Sequence, residues 1–367
     1  MMNTFFSLFL VLVFLLAGCS SPEPQPENKQ FDVFFNRPLK AVKAEDIFSN
    51  YHYLPLETND SSLLGNIKRI VYKNGRYFIS NRSQISIFND KGNFVRTINK
   101  LGNGPYEYRP YWSMNVNGDG NVSLLSLNPP KLTTYTSSGD FLSRVKLDSL
   151  SVRDLIYLND SLLLLRGDHR SEGYKFHVLN VESGQMERYF YRMEQKTHPF
   201  FMKDCMTTYK NKILVCEYQS YEIIEVSKDS ASVRYIFNIN DKMPPKGYFE
   251  KEDADIFDYA QKGYIGNIIC YAESDKYILL RFGGVKEKTQ AFALINKENR
   301  KYVVFDEIIL ADGITVKPEF FHSIGEGKLI FEIDPTVILE SGNVKFKSNF
   351  PDLVEDSNPL MLIVNLD

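Results

Sequence analysis

Between Leu64 and Tyr108 the chain alternates short apolar runs with turn residues. Ile67–Tyr72, Tyr77–Ser80, Gln84–Phe88 and Phe94–Ile98 are rich in β-branched and aromatic residues and read as four strands. Asn74-Gly75 separates the first two, and Asp90–Asn93 the last two. Asn and Gly reach positive φ at little cost, which tight turns between antiparallel strands demand. Four short strands with two tight turns cannot bury both faces of their sheet alone. They need a neighbour on each side.

The pattern repeats. A first-hairpin turn recurs at Asn74-Gly75, Asp119-Gly120, Asn159-Asp160, Asn211-Lys212, Ser274-Asp275 and Glu326-Gly327, each between two apolar strands. A second turn follows at Asp90–Asn93, Ser137–Asp140, Glu182–Gly184, Lys228–Ser230 and Lys297–Asn299. The spacing of about 40 to 65 residues is that of β-propeller blades once two insertions are allowed. Six first turns predict an all-β, six-bladed propeller. The sixth unit lacks a fourth strand after its second turn, and Tyr51–Glu57 is a strand without a blade. Pairing that N-terminal strand with Leu360–Leu366 closes the ring and removes an exposed edge. Asp241–Tyr264 places Phe249, Ile256, Phe257, Ala260 and Tyr264 near one face, with Glu250, Glu252 and Asp253 in the first turn. It predicts one inserted amphipathic helix lying on the propeller. Thr336–Asn358 reads as a polar surface loop.

The N-terminus sets the expected address. Phe5–Ala17 is an apolar run with one Ser, too short to span a bilayer and of the length of a signal-peptide core. It ends in Leu16-Ala17-Gly18-Cys19-Ser20, which resembles the bacterial lipobox and implies acylation of Cys19. Ser20–Gln30 alternates Pro with Glu, Gln and Asn and reads as an extended tether. The expected organisation is a lipoprotein signal at 1–18, acylated Cys and tether at 19–38, and the propeller at 39–367. Only Glu23 and Glu27 are acidic in the tether, so the periplasmic face of the outer membrane is expected ahead of the cell surface.

Two local motifs sharpen this. One is Leu56-Glu57-Thr58 followed by Leu63-Leu64-Gly65; the other is Gly102-Asn103-Gly104-Pro105-Tyr106-Glu107-Tyr108. Together they resemble the six-bladed β-propeller lipoproteins of Bacteroidetes, whose glycine-rich turn is close to G-x-G-P-G-E-Y. Tyr106 stands where that pattern has Gly. The resemblance implies the fold and the lipid anchor, and no defined activity.

Composition and chemistry narrow the function classes. A net charge of −3 without a basic cluster argues against nucleic acid, whose binding rests on phosphate neutralisation. Beyond Cys19 the chain has Cys205, Cys216 and Cys270. With Asn211-Lys212 as the turn, Cys216 falls opposite Thr207, so buried thiols are expected rather than a Cys205–Cys216 disulfide. The glycine-rich turn (Gly102, Gly104, Pro105, Glu107) is expected to be a structural crossover between blades. Gly102 and Gly104 allow positive φ there, and Glu107 can cap backbone. Asn115–Asn121 has oxygen side chains at alternate positions but no bidentate Glu beyond them, so it reads as a hairpin turn rather than a calcium loop. No metal or cofactor is expected.

Ligand contacts are expected at Arg109, Tyr111 and Trp112, an aromatic platform with polar neighbours, and at the polar cluster Asp168, His169 and Arg170. The five His residues are scattered over the chain, and no spacing assembles a base with a nucleophile or metal. The expected function is therefore a lipid-anchored binding or scaffold module for an envelope protein or glycan. The alternative is a propeller hydrolase or lyase on carbohydrate or peptide, acting at the channel mouth among residues such as Asp168 and His169. Ionisable groups converging there from three or more blades favour the enzyme; a mouth packed with Leu, Phe and Tyr excludes it.

Overall fold

The computed structural model describes residues 29–35, 39–147, 150–167, 173–192, 206–216, 221–239, 242–245, 247–248, 259, 261–265, 267–283, 291–319 and 321–367. Six antiparallel sheets, each of at least four strands, make a six-bladed propeller. Blade 1 consists of Arg69–Lys73, Arg76–Ser80, Ile85–Asn89 and Phe94–Ile98. Blade 2 consists of Ser113–Val116, Val122–Leu127, Pro130–Tyr135 and Phe141–Lys146. Blade 3 follows with Val152–Tyr157, Leu162–Gly167, Tyr174–Asn180 and Met186–Arg192. Blade 4 has Met206–Tyr209, Lys212–Cys216, Glu222–Val226 and Ala231–Asn238. Blade 5 has Asn267–Glu273, Tyr277–Gly283, Ala291–Asn296 and Tyr302–Ile309. In each blade the first-named strand is innermost. Among the described residues, Phe31–Asp367 is one compact unit.

Blade 6 is built from both ends of the chain. His322–Gly325, Lys328–Ile333 and Leu360–Asn365 are its inner strands, and Asn50–Leu54 is its outermost one. Leu54 pairs with Met361 and Asn50 with Asn365 in antiparallel register, so the expected ring closure is present. The strand edge that an open array would expose is thereby hydrogen-bonded.

The LET and LLG motifs form the clasp of this closure. Asn358, buried, donates through Nδ2 to the Glu57 and Ser62 carbonyls at 2.9 and 3.0 Å and accepts from Leu64 N at 2.8 Å. Its own N–H donates to Thr58 Oγ1 at 3.0 Å. Glu57 Oε2 accepts from Phe94 N, and Glu57 N donates to Gly92 O, both at 2.8 Å. A Cβ on Gly92, whose φ is +81°, would lie 2.0 Å from the Pro55 carbonyl oxygen. The clasp thus ties blade 1 to the strand that completes blade 6.

Alternating positions of each blade pack against the next. Phe78, Ile85 and Ile87 of blade 1 meet Met114, Leu124 and Tyr135 of blade 2, all buried. Each fully buried large apolar side chain contributes about 1.5–3 kcal/mol. The outer layer begins before the expected boundary at 39. Gln30–Asp32 adds a strand beside Ala231–Asn238, burying Phe31, and Lys40–Lys43 runs parallel to Tyr302–Ile309.

Three local expectations change. The blade 4 hairpin turns at Lys210-Asn211, both at positive φ, because Tyr209 pairs with Lys212. Thr207 therefore faces Leu214 and not Cys216. Cys216 and Cys270 are buried; Cys205 lies outside the described residues. Thr336–Asn358 is not simply a polar loop. It contains the short helices Pro335–Glu340 and Val344–Lys347, the first capped by Asp334, with Ile338 and Phe346 buried. The Phe346 ring lies 4.9 Å from that of Tyr53, so the excursion covers the closing strand. Much of the expected helix at 241–264 lies outside the described residues; Tyr248 and Tyr259, within that stretch, are buried, with ring centroids 5.6 Å apart.

Asn358→Ala is expected to lower the unfolding free energy by about 1–3 kcal/mol, because it strands the buried Ser62 carbonyl and the partly buried Glu57 carbonyl and Leu64 N–H. Urea unfolding of the chain without its leader checks this; an unchanged midpoint would exclude the clasp.

Candidate functional site

Each innermost strand begins on one face of the ring, where the inter-blade crossovers also arrive. The tight hairpins such as Asn74-Gly75 and Glu326-Gly327 lie at the other end. The channel between the six inner strands holds a cavity of about 180 Å3 to which every blade contributes: Arg69, Asn115, Tyr157, Thr207, Tyr271 and His322 in order. Apolar side chains, Ile70, Ile156, Met206 and Phe321 among them, share its lining with these groups.

Its polar groups are largely engaged with one another. The Arg69 guanidinium of blade 1 donates to Ser113 Oγ of blade 2 at 2.8 Å and to Asp154 Oδ1 of blade 3 at 2.7 Å. Ser113 Oγ and Leu155 N also donate to that carboxylate oxygen, at 2.6 and 2.8 Å. Asp154 is fully buried and its second oxygen has no hydrogen-bond partner. On the far side of the channel His322 Nε2 lies 2.8 Å from Glu332 Oε1, and Thr207 donates to Ser323 at 2.7 Å. Nearby, Arg281 is buried over the Phe292 ring and donates to the Glu319 carbonyl at 2.6 Å. Burial lowers its pKa to about 10, which leaves it charged at neutral pH.

Sequence reasoning passed over Arg69, Ser113 and Asp154. Each sits on a different blade, and no spacing along the chain connects them. Ionisable groups from three blades, Arg69, Asp154 and His322, do surround one channel.

At the mouth, Trp112 is half-buried and two guanidinium groups lie over its indole. Arg82 from blade 1 is 4.2 Å from the ring centroid, and Arg153 from blade 3 is 5.2 Å away. The expected aromatic platform is thus partly covered by cations. Tyr111, beside it, is buried: its hydroxyl lies 2.7 Å from Ser80 Oγ and donates to the Gln84 carbonyl at 2.9 Å. Burial holds that phenol well above its ordinary pKa, and the residue serves packing. Arg109 is exposed and donates to Asn103 Oδ1 at 2.9 Å. Asp168, His169 and Arg170 lie outside the described residues.

The glycine-rich turn is a crossover, for a reason the sequence reading did not identify. Neither Gly102 nor Gly104 has positive φ. The carboxylate of Glu107 folds back over both, accepting from Gly104 N at 2.7 Å, and a Cβ on Gly102 would lie 2.0 Å from Glu107 Oε2. A side chain there would have to displace that carboxylate from its bond to Gly104 N. Pro105 is exposed within the turn, and Tyr108 beyond it is buried, donating to the Ser83 and Ile98 carbonyls. In the loop at Asn115–Asn121, Asn117 Oδ1 accepts from the N–H groups of Asp119 and Asn121 at 3.1 and 2.8 Å, which is a hairpin function.

These features define a six-bladed propeller with a polar channel and an aromatic, cationic mouth. Residues 30–365 match a family described as a domain of unknown function, DUF4934, and the chain belongs to that family. The structure is similar to a candidate exported protein of Bacteroides fragilis, with a TM-score of 0.74 at 20% identity, covering 92% of this chain and 99% of that one. It is also similar to a DUF4221 family member from Bacteroides vulgatus, with a TM-score of 0.51 at 10% identity, covering 87% and 96%. At these identities the likeness is one of fold. No curated protein matches the sequence.

Arg69→Met is expected to destabilise the fold by about 3–5 kcal/mol, because it leaves the Asp154 carboxylate buried without its counter-charge. Adding Asp154→Asn should recover part of that loss. Thermal unfolding of both variants checks the pairing, and a double variant no better than the single one would refute it.

Proposed function

We propose that the protein is a lipid-anchored module of the cell envelope that binds a glycan or protein partner at the mouth of its channel. The observation that carries this reading is the division of polar groups between channel and mouth. Inside, Arg69 and Asp154 neutralise each other, and His322 is held by Glu332. At the mouth, Arg82 and Arg153 lie over the half-buried Trp112 indole and Arg109 is exposed, a grouping of residue types that recognition surfaces use. Export is supported by the fold-related B. fragilis protein described as exported, and by the signal-like Phe5–Ala17. Among the described residues no helix is long and apolar enough to cross a membrane. An anchor at Cys19 with the tether behind it would then hold the propeller at the outer membrane.

The convergence of Arg69, Asp154 and His322 from three blades favours a second reading, a hydrolase or lyase on carbohydrate or peptide. Asp154 has no solvent exposure, which opposes a role in general acid–base work on a large substrate.

Two experiments address these readings. Cys19→Ala is expected to release the mature protein from the membrane fraction, and continued membrane association would exclude the lipid anchor. A glycan-binding screen run beside affinity capture from envelope extracts should yield a ligand or partner whose binding weakens in Trp112→Ala. Turnover of a bound carbohydrate or peptide, abolished by Asp154→Asn, would replace the binding reading with the enzymatic one.

A further inference from the structure

The chain as a whole carries a net charge of −3, yet cations collect on one sector of the mouth face. Arg82 stacks on Trp112, and its carbonyl accepts from Tyr111 N at 3.4 Å. Arg109 follows three residues after the glycine-rich turn's Tyr106, and its carbonyl accepts from Ser126, the register partner of Lys131. Arg144 reaches the Glu107 carbonyl in the same turn. Arg144 stands opposite Thr133, two residues from Lys131 on the neighbouring strand, and its Nε donates to the Thr133 hydroxyl at 3.4 Å. Burial first, then the charges of Arg144 and Arg109, hold the Lys131 ammonium below its ordinary range.

Acids do not balance this band. Among the described residues Arg82, Arg109, Lys131 and Arg144 make no salt bridge. Asp154 is paired with Arg69, and Glu107, bonded to Gly104 N, remains as one carboxylate against these four cations. Arg82 has its Nε buried with no hydrogen-bond partner. With Nε buried, the terminal nitrogens of this half-buried guanidinium, 4.2 Å from the indole centroid, are the donors left to an oxyanion. Within the same band Tyr106 is 65% exposed, its ring 5.2 Å from Phe141, and its own carbonyl is tied to the Tyr135 hydroxyl at 2.9 Å. Aromatic surface beside Arg109, Lys131 and Arg144, which make no salt bridge among the described residues, is the combination that an acidic sugar chain fits. C–H faces of the pyranose rings pack on the phenol ring while the carboxylates or sulfates meet the guanidinium groups.

Resting on the binding reading above, we propose that this band, Arg82, Tyr106, Arg109, Lys131 and Arg144, binds an acidic polysaccharide carrying carboxylate or sulfate groups. An acidic peptide would need the cations but not Tyr106, and an isolated small anion would need neither Tyr106 nor the length of the band.

Affinity electrophoresis of the mature chain in gels containing polygalacturonate, chondroitin sulfate, dextran or polyglutamate tests this. Retardation by at least one of the two acidic polysaccharides is expected, weakening as salt rises. Arg82→Gln and Arg109→Gln should each reduce the affinity about tenfold, the scale of one charge-assisted hydrogen bond. Tyr106→Gly should weaken retardation by the polysaccharide while leaving any residual polyglutamate effect unchanged. Arg109 and Tyr106 are exposed, so their variants should keep the parental melting temperature and report on binding alone. Absence of retardation by both acidic polysaccharides would overturn the proposal, as would polyglutamate retardation of equal strength. Binding of dextran or of an envelope protein that ignores the arginine substitutions would overturn it too, while leaving the broader binding function standing.

Discussion

Pairing of Asn50–Leu54 with Leu360–Asn365 is the contact on which the rest of the molecule depends. A propeller has no single core; each sheet is buried by its two neighbours, so a gap anywhere leaves two apolar faces wet. The pairing joins segments about 300 residues apart in sequence, and its formation must wait for all intervening blades to stack. Asn358, Glu57 and the close approach of Gly92 to Pro55 reinforce it from the side of blade 1. Closure also aligns the six inner strands, and only that alignment brings Arg69, Asp154 and His322 around one channel.

The channel and its mouth use charge in opposite ways. Arg69 reaches across blade 2 to Asp154, with Ser113 bonded to both, so buried charge is compensated within the protein. A similar solution holds blades 4 and 5 together. There Glu273, buried, accepts from Arg234 at 2.8 and 3.0 Å and from Lys297 at 2.9 Å, with the Tyr271 and Tyr235 hydroxyls as further donors. Burial raises the pKa of Glu273, but these partners outweigh it and leave the carboxylate below its ordinary value. At the mouth, by contrast, Arg82 and Arg109 are left without acids. Compensated charge supports the ring.

Much of the fold was legible because it is locally encoded. Asn74-Gly75 and Glu326-Gly327 sit at positive φ where their residue types predict it, and strands flank them on both sides. The blade 4 turn was displaced by one residue because Lys210 and Asn211 take positive φ, which only Asn advertises by type. Thr336–Asn358 looked polar because its few apolar residues, Ile338 and Phe346 among them, are spaced for two separate short helices and not for one periodic run. The site was read less well. Trp112 and Arg109 stood out by residue type, but Arg82 and Arg153 belong to other blades, and their place over the indole depends on blade packing.

By itself the sequence determined the repeat, the number of blades, the need for a closing strand and the glycine-rich crossover. Each of these follows from short-range turn chemistry and alternation of apolar positions. Only the tertiary structure decided what those elements bring together. It set Glu107 over Gly102 and Gly104, so that the glycines serve close approach instead of left-handed backbone. It also brought Arg82 of blade 1 and Arg153 of blade 3 together over the Trp112 indole. Electrostatic interaction depends on distance through space, and a ring that returns every 40 to 65 residues to the same axis makes neighbours of groups that the linear chain keeps apart.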